Sequence, residues 1–286
     1  GSKAPDAFNF LQNLFISRKL IGFERQPPLL QKKSLRDWWN ECKSNNESYS
    51  TTVWVIVDIF TQYYDVSIGQ DVLNLLKKCK VNIKVVFPKN SIVAMVSYGL
   101  LNEAKNELKI LHSQLNDAAK NDLIVGIEPS EVLVWRDEAK SLLNGRLPNV
   151  LLFEELLLEL DQLKVLPKFH ALNTKVWVYE HCHQKSLAET ENVIKSLELI
   201  PELQIEIING GCCGMAGEFG YKFPEISDTI AHQSLDNYMS RVGKNDVLVV
   251  TGTSCRKQIL DIFSIRSIHW PQLFNNAVEL EANIEE

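Results

Sequence analysis

Cys182, the adjacent pair Cys212-Cys213 and Cys255 stand in the phrases H-C-H-Q-K, G-G-C-C-G-M-A-G and G-T-S-C-R-K-Q. Thiolates are soft ligands that select iron–sulfur clusters, zinc or copper(I), and four of them complete a site for either of the first two. Gly210, Gly211, Gly214 and Gly217 let the backbone approach closely and turn N–H groups toward sulfur, where they tune a reduction potential. The spacing, 29 intervening residues, then none, then 41, lacks the C-x-x-C knuckles of zinc fingers. A set of buried thiols, or a vicinal pair with a redox role, is the other reading that these residues allow.

His181 and His183 flank Cys182. On an extended strand end they point away from the Cys182 side chain, so a capping or supporting role is read ahead of ligation, which one imidazole could still supply. His112, His170, His232 and His269 have no partners in sequence and read as surface or packing residues. Cys42 and Cys79 read as ordinary buried or half-buried thiols, since free cysteine packs as a small hydrophobe. The chain has no P-loop, no strand-linked G-x-G-x-x-G and no G-x-S-x-G, so no catalytic residue is assigned. Ser130 is expected to cap a helix, and Asp137-Glu138 to be a solvated helical pair.

The elements that position the four cysteines follow from hydrophobic patterning. Val53–Val57 and Lys175–Tyr179 are continuous β-branched and aromatic runs of the kind found in strands buried on both faces. After the first come a helix at 69–80, a strand at 81–87 and a helix at 99–120. A strand at 123–126 and helices at 131–143 and 149–163 complete that block. After the second come a helix at 184–197, a strand at 204–208, a helix at 225–242 and a strand at 246–250. A helix at 254–263 and a short strand at 267–270 follow. Strands alternating with helices imply an α/β fold: two tandem α/β domains with parallel sheets flanked by helices, related by internal duplication. We place a leader at 1–50, the first domain at 51–170 and the second at 171–286. Lys19–Phe23 and Pro27-Pro28 read as turns in the leader, Ser34 as the cap of a helix carrying Trp38 and Trp39, and 43–52 as a linker. Ligands of open α/β sheets sit at the carboxyl ends of strands, where Cys182, Cys212-Cys213 and Cys255 all fall.

Six cysteines in 286 residues are too sparse for a disulfide scaffold. A net charge of −6 gives no electrostatic footprint for nucleic acid, and no apolar run reaches membrane-spanning length. Gly1-Ser2 reads as a cloning scar, and the chain shows no secretion signal, which predicts a cytoplasmic location.

The phrases H-C-H-Q-K-S-L, G-C-C-G-M-A-G-E-F-G-Y and G-T-S-C-R-K-Q-I closely resemble the second CCG cysteine-rich domain of one family. That family includes the CCG-containing subunit of heterodisulfide reductase, the glycolate oxidase iron–sulfur subunit and the C-terminal region of FAD-linked 2-hydroxyacid dehydrogenases. The last are of the D-lactate or D-2-hydroxyglutarate type. D-I-F-T-Q-Y-Y-D, S-Y-G-L-L-N-E-A-K and G-I-E-P-S-E-V-L-V-W-R-D-E resemble its first CCG domain, so the likeness covers nearly the whole chain. The resemblance implies that Cys182, Cys212, Cys213 and Cys255 bind a [4Fe–4S] cluster, or zinc, with His181, His183, Gly211 and Gly214 around it. It also implies FAD and ferredoxin-like parts upstream of Ser2, an unnamed electron acceptor, and a location in the cytoplasm or peripheral to the inner membrane.

Two departures from the family pattern stand out. Gly252 replaces the first cysteine of a C-x-x-C motif. In the first block, Asn90-Ser91, Glu131 and Ile59-Phe60 stand where cysteines are expected. That block is therefore expected to bind no cluster, and to pack against the second and cover its crevice.

Overall fold

The computed structural model describes residues 3–14, 22–42, 48–118 and 120–278. The expected Gly1-Ser2 scar, residues 19–21 of the leader turn and residues 43–47 of the linker lie outside them. The leader carries α1 (Pro5–Asn13) and α2 (Leu35–Cys42). Ser34 Oγ accepts the Asp37 N–H at 3.2 Å, the bond expected of a helix cap.

The first half then runs β1 (Thr52–Ile56), α3 (Ile59–Tyr63), α4 (Val66–Lys78), β2 (Asn82–Val86), α5 (Ile92–Ser97), α6 (Leu101–Leu115) and β3 (Leu123–Gly126). It ends with α7 (Pro129–Leu133), α8 (Glu138–Leu142), β4 (Val150–Leu151) and α9 (Phe153–Gln162). The second half runs β5 (Lys175–Tyr179), α10 (Cys182–Leu187), α11 (Thr190–Leu197), β6 (Gln204–Ile207), α12 (Phe219–Lys222) and α13 (Pro224–Met239). It closes with β7 (Val247–Val250), α14 (Thr253–Phe263) and α15 (Trp270–Ala277).

These strands form two parallel sheets, ordered β2-β1-β3-β4 and β6-β5-β7. Each places its first strand in the middle, which is why the V-W-V runs are apolar on both faces. Val53 and Val55 of β1 and Val176 and Val178 of β5 enter one apolar core. The same core takes Leu73 and Leu76 of α4, Leu156 and Leu160 of α9, Leu197 of α11 and Phe274 of α15. Alternate residues face outward cores: Trp54 and Ile56 on one side, Trp177 and Tyr179 on the other. The two sheets thus share a central helical layer, and the 170/171 boundary is crossed by a continuous core.

Several elements differ from their sequence-based expectations. The helix expected at 131–143 is two short helices, and Glu128, not Ser130, is the residue that caps the first. Ser130 instead donates to Glu128 Oε1 at 3.1 Å. The helix expected at 149–163 begins with β4, because Glu155 accepts the Leu152 N–H at 2.8 Å and starts the helix at Phe153. The helix expected at 184–197 breaks at Ala188, which is extended. The strand expected at 267–270 is a single bridge at Ile268, after which Trp270-Pro271 open α15, a favoured place for proline. Cys79 is buried as expected, and burial pushes its thiol up to about 12. Cys42 is exposed, on the outward face of α2 rather than in the core.

Candidate metal centre

Three strand ends of the second sheet build the centre. Cys182 opens α10 directly after β5, Cys212-Cys213 lie in the loop after β6, and Cys255 lies in the first turn of α14 after β7. The fold brings the thiols together in one row, with Cys182 beside Cys212, Cys212 beside Cys213 and Cys213 beside Cys255. The row runs inward from the exposed Cys182 and Cys212 to the buried Cys213 and Cys255. Among the described residues, no group of three or more His, Cys, Asp and Glu side chains stands ready-made around a point for a metal ion.

The charge in the row settles on Cys212. Cys182 and Cys213 beside it hold its thiol well below the usual range, aided by the Gly214 N–H, which donates to its sulfur at 3.3 Å. The neighbouring Cys212 and burial push Cys182 and Cys213 up. A cation stands close by. Lys185 Nζ donates to Gly210 O at 2.9 Å and lies 4.4 Å from the Tyr179 ring centroid. Burial lowers its pKa, while Glu180 and the thiols favour the charged form. Tyr179 O–H donates to Gly211 O at 2.5 Å, tying the glycine loop to the strand end.

Gly214 shows why this loop carries glycine. Its φ is +87°, and a Cβ there would stand 2.2 Å from Ser227 O. Ser227 Oγ in turn donates to Gly214 O at 2.9 Å and accepts from Gln258 Nε2 at 2.8 Å. Gln258 accepts from Arg25 at 2.6 Å, and Arg25 also pairs with Asp228. The backbone N–H groups of Glu24 and Arg25 donate to Tyr221 O, and Phe23 stacks on Tyr221 at 5.6 Å. The leader is therefore strapped onto α12, α13 and α14, which flank the loop that holds the cysteine pair, a contact with no signal in the sequence pattern.

The first half contributes a wall. Glu128 Oε2 accepts the Thr253 N–H at 3.0 Å, and Asp65 accepts from Thr253 Oγ1 at 2.9 Å. Asp65 also pairs with Arg256 at 2.6 Å, while Arg256 donates to Val250 O and Thr251 O at 3.0 and 2.8 Å. These bonds fix the first turn of α14, which carries Cys255. Sequence reasoning missed Asp65, Glu128 and Arg256, because pairing between distant halves of the chain leaves no local pattern.

His181 takes the capping place that the sequence suggests for it. The chain turns into α10 at Cys182, and the His181 Nδ1 accepts the His183 N–H at 3.3 Å. Burial, then His183, push the ring down to about 4, so it is neutral at pH 7. Gly211 lies against Ser234, where a Cβ would meet Oγ at 2.9 Å.

In the first half, oxygen groups gather around Ser91 and Glu131. Ser91 O–H donates to Glu131, whose other oxygen accepts the Ile92 N–H at 3.1 Å. Burial raises Glu131 to about 8 and Asp58 to about 6. Asp58, Asn90, Ile92, Glu131 and Trp135 line a cavity of about 10 Å³, room for one water at most.

No protein-family model matches the chain. It is 31% identical over 280 residues to D-2-hydroxyglutarate dehydrogenase of Escherichia coli (strain K12) and 28% identical to that of Pantoea ananatis. Each match takes in 90% of this chain and 27% of the relative, so the chain spans about a quarter of their length. A subunit of the anaerobic glycerol-3-phosphate dehydrogenase of Escherichia coli (strain K12) is 22% identical over 87% of this chain and 65% of its own length. The chain, with its cysteines on three strand ends, is thus homologous to a region shared by these dehydrogenases and similar to the C-terminal CCG region of an FAD-linked dehydrogenase.

Proposed function

We propose that this chain is an iron–sulfur electron-transfer module of a flavin-dependent 2-hydroxyacid oxidoreductase, with a [4Fe–4S] cluster held by Cys182, Cys212, Cys213 and Cys255. The observation that carries this reading is the row of four thiols assembled from three separate strand ends. The donor set fits the group: four soft ligands, a backbone N–H already directed at one sulfur, and a lysine beside them. The cluster, when bound, supplies one-electron transfer. The chain's own residues supply its setting. Gly214 N–H stabilises charge on Cys212, and Lys185 places a positive charge beside the thiolates. The Arg256–Asp65 pair fixes the approach of Cys255, and the exposed end of the row at Cys182 and Cys212 is the face open to a partner. Thiols now in mutual contact separate to admit the cluster.

On this reading FAD and ferredoxin-like parts belong to the same enzyme as this chain, which lies at the acceptor end of the electron path. The two sheets are copies of one unit, in domains at 51–170 and 171–286. The matching order of their first three strands supports that, as do the matching bonds of Trp54 to Asp122 and Trp177 to Asp246.

Anaerobic reconstitution with iron and sulfide tests the reading. Uptake of about four irons and four sulfides per chain, with broad absorption near ~400 nm, is expected for the cubane. Stoichiometric zinc with no iron or acid-labile sulfide would overturn it.

A further inference from the structure

Gln184, the fourth residue of the phrase H-C-H-Q-K, is fully buried, yet its side chain ends in two polar atoms. Both are paired. Nε2 donates to Glu154 Oε1 at 2.5 Å, and Oε1 accepts the Thr251 O–H at 2.8 Å. Thr251 Oγ1 in turn accepts the His181 N–H at 2.9 Å. Thr251 and Glu154 are buried as well. The bonds therefore run without a break from the backbone ahead of Cys182 to a carboxyl group of the first half.

This run joins the two segments that carry the outer thiols of the row. The β5–β7 ladder ends at the pair Tyr179 and Val250. Beyond it the Thr251 N–H donates to Tyr179 O at 3.3 Å, and the Gln184 amide reaches back from the first turn of α10 to the same threonine. Cys182 stands in that turn of α10, and Cys255 follows Thr251 by four residues, in the first turn of α14. The inner thiols, Cys212 and Cys213, come instead from the loop after β6. Glu154, in the first turn of α9, anchors the run to a helix whose Leu156 and Leu160 lie in the core that both sheets share.

An amide is what such a place demands. It is neutral and both donates and accepts, whereas a carboxylate only accepts and an ammonium only donates. An apolar side chain of the same size would leave Thr251 and Glu154 buried without this partner, which is costly. We propose that Gln184 is a positioning residue of the four-cysteine site. Through Thr251 it fixes the segments carrying Cys182 and Cys255 relative to each other, and through Glu154 it fixes both to the first half. The inference rests on the reading of this site as a cluster centre and deepens it, since it gives the first half a share in holding the ligand frame.

Two measurements on the 286-residue chain test this. The first uses anaerobic, metal-free protein and compares alkylation of two equally buried thiols, Cys255 and Cys79, by peptide mass spectrometry. Gln184→Met keeps the size of the side chain and removes both polar atoms. It is expected to speed labelling of Cys255 about tenfold, as loss of a buried hydrogen bond eases a local opening, and to leave Cys79 unchanged. Glu154→Gln combined with Gln184→Glu exchanges donor and acceptor, and should restore the wild-type rate. Thr251→Val, which removes only the hydroxyl, should match Gln184→Met, and it decides the point if that variant does not fold. An unchanged rate at Cys255, equal acceleration at Cys79, or an exchange variant no slower than Gln184→Met overturns the proposal. The second measurement is retention of the reconstituted cluster. Gln184→Met should lower about tenfold the chelator concentration that removes half of the iron, and retention at the wild-type level overturns the proposal. Failure of the wild-type chain to take up iron and sulfide overturns the cluster reading instead, and the labelling then decides the role of Gln184.

Discussion

The indole N–H of Trp177 donates to Asp246 Oδ2 at 2.7 Å. Trp54 makes the same bond to Asp122 at 2.8 Å in the other sheet. In each case the tryptophan is the third residue of the central strand, and the acid lies just ahead of the neighbouring third strand. Each ring also has a lysine over its face, Lys175 at 4.2 Å and Lys84 at 4.5 Å. The bond satisfies an indole donor that burial would otherwise leave costly, and ties the start of the third strand to the centre of its sheet. Asp122→Ala is expected to destabilise the chain by about 1–2 kcal/mol, the cost of an unsatisfied buried donor, read by urea denaturation.

Cysteine substitution separates the row from the remaining thiols. Cys213→Ser should abolish uptake of iron and acid-labile sulfide, because Cys213 links Cys212 to Cys255 at the buried end. Cys42→Ser and Cys79→Ser should leave uptake at the wild-type level, since neither lies in the row. Metal and sulfide analysis of the three variants reads the difference, and loss of uptake in Cys79→Ser with the fold intact counts against the assigned ligand set.

Gly214→Ala carries both a left-handed φ and a Cβ placed 2.2 Å from a backbone oxygen. Either the loop or α13 must move, at a cost of roughly 1–3 kcal/mol for the strained backbone alone. The expected result is a lowered melting temperature together with reduced metal uptake, because the same movement withdraws the N–H from Cys212.

Arg256→Ala removes a largely buried guanidinium that bonds Asp65 and two carbonyls at the start of α14. Breaking such a pair by deleting one partner is expected to cost about 3 kcal/mol. Hydrogen exchange should show the loss centred on residues 250–256 and on the facing segment around Asp65. A uniform change across the chain would speak against a local latch.

Glu131 gives a pH dependence with a defined sign. Burial raises its carboxyl from 4.5 to about 8 in the folded chain. Between these values the folded state holds the proton that the unfolded state has lost, so stability falls as pH rises from about 5 to 8. Asp58, raised to about 6, and Glu154, raised to about 8, act in the same direction. Glu131→Gln is expected to flatten this decline by an amount on the order of a few kcal/mol at most. Thermal melts of wild type and variant at pH 5, 6.5 and 8 make the comparison, and parallel curves would remove Glu131 as a source.

The strands and the gathering of the cysteines were legible because their signals are local. Lys175–Tyr179 and Leu123–Gly126 appear at the bounds their apolar runs predict, and parallel topology then sends three strand ends to one edge. Helix breaks at Ala188 and after Leu133 were not legible, since they follow from contacts outside the helix. Val150–Leu151 reads as helix from its neighbours and becomes strand only because β3 lies beside it. His181 was legible as a capping residue, and it caps α10. The wall of Asp65 and Glu128 needed the fold itself, as charge pairs between distant halves carry no periodicity.

Arg25 meets Gln258 across 233 positions of chain. Ribosomes add about 5–20 residues per second, so the strap is made roughly 10–50 s before its partner exists. Through most of that interval Phe23 has no Tyr221 to stack on. The leader is thus made well before the helices it seats on, and its bond to Gln258 forms only after α14 has been synthesised.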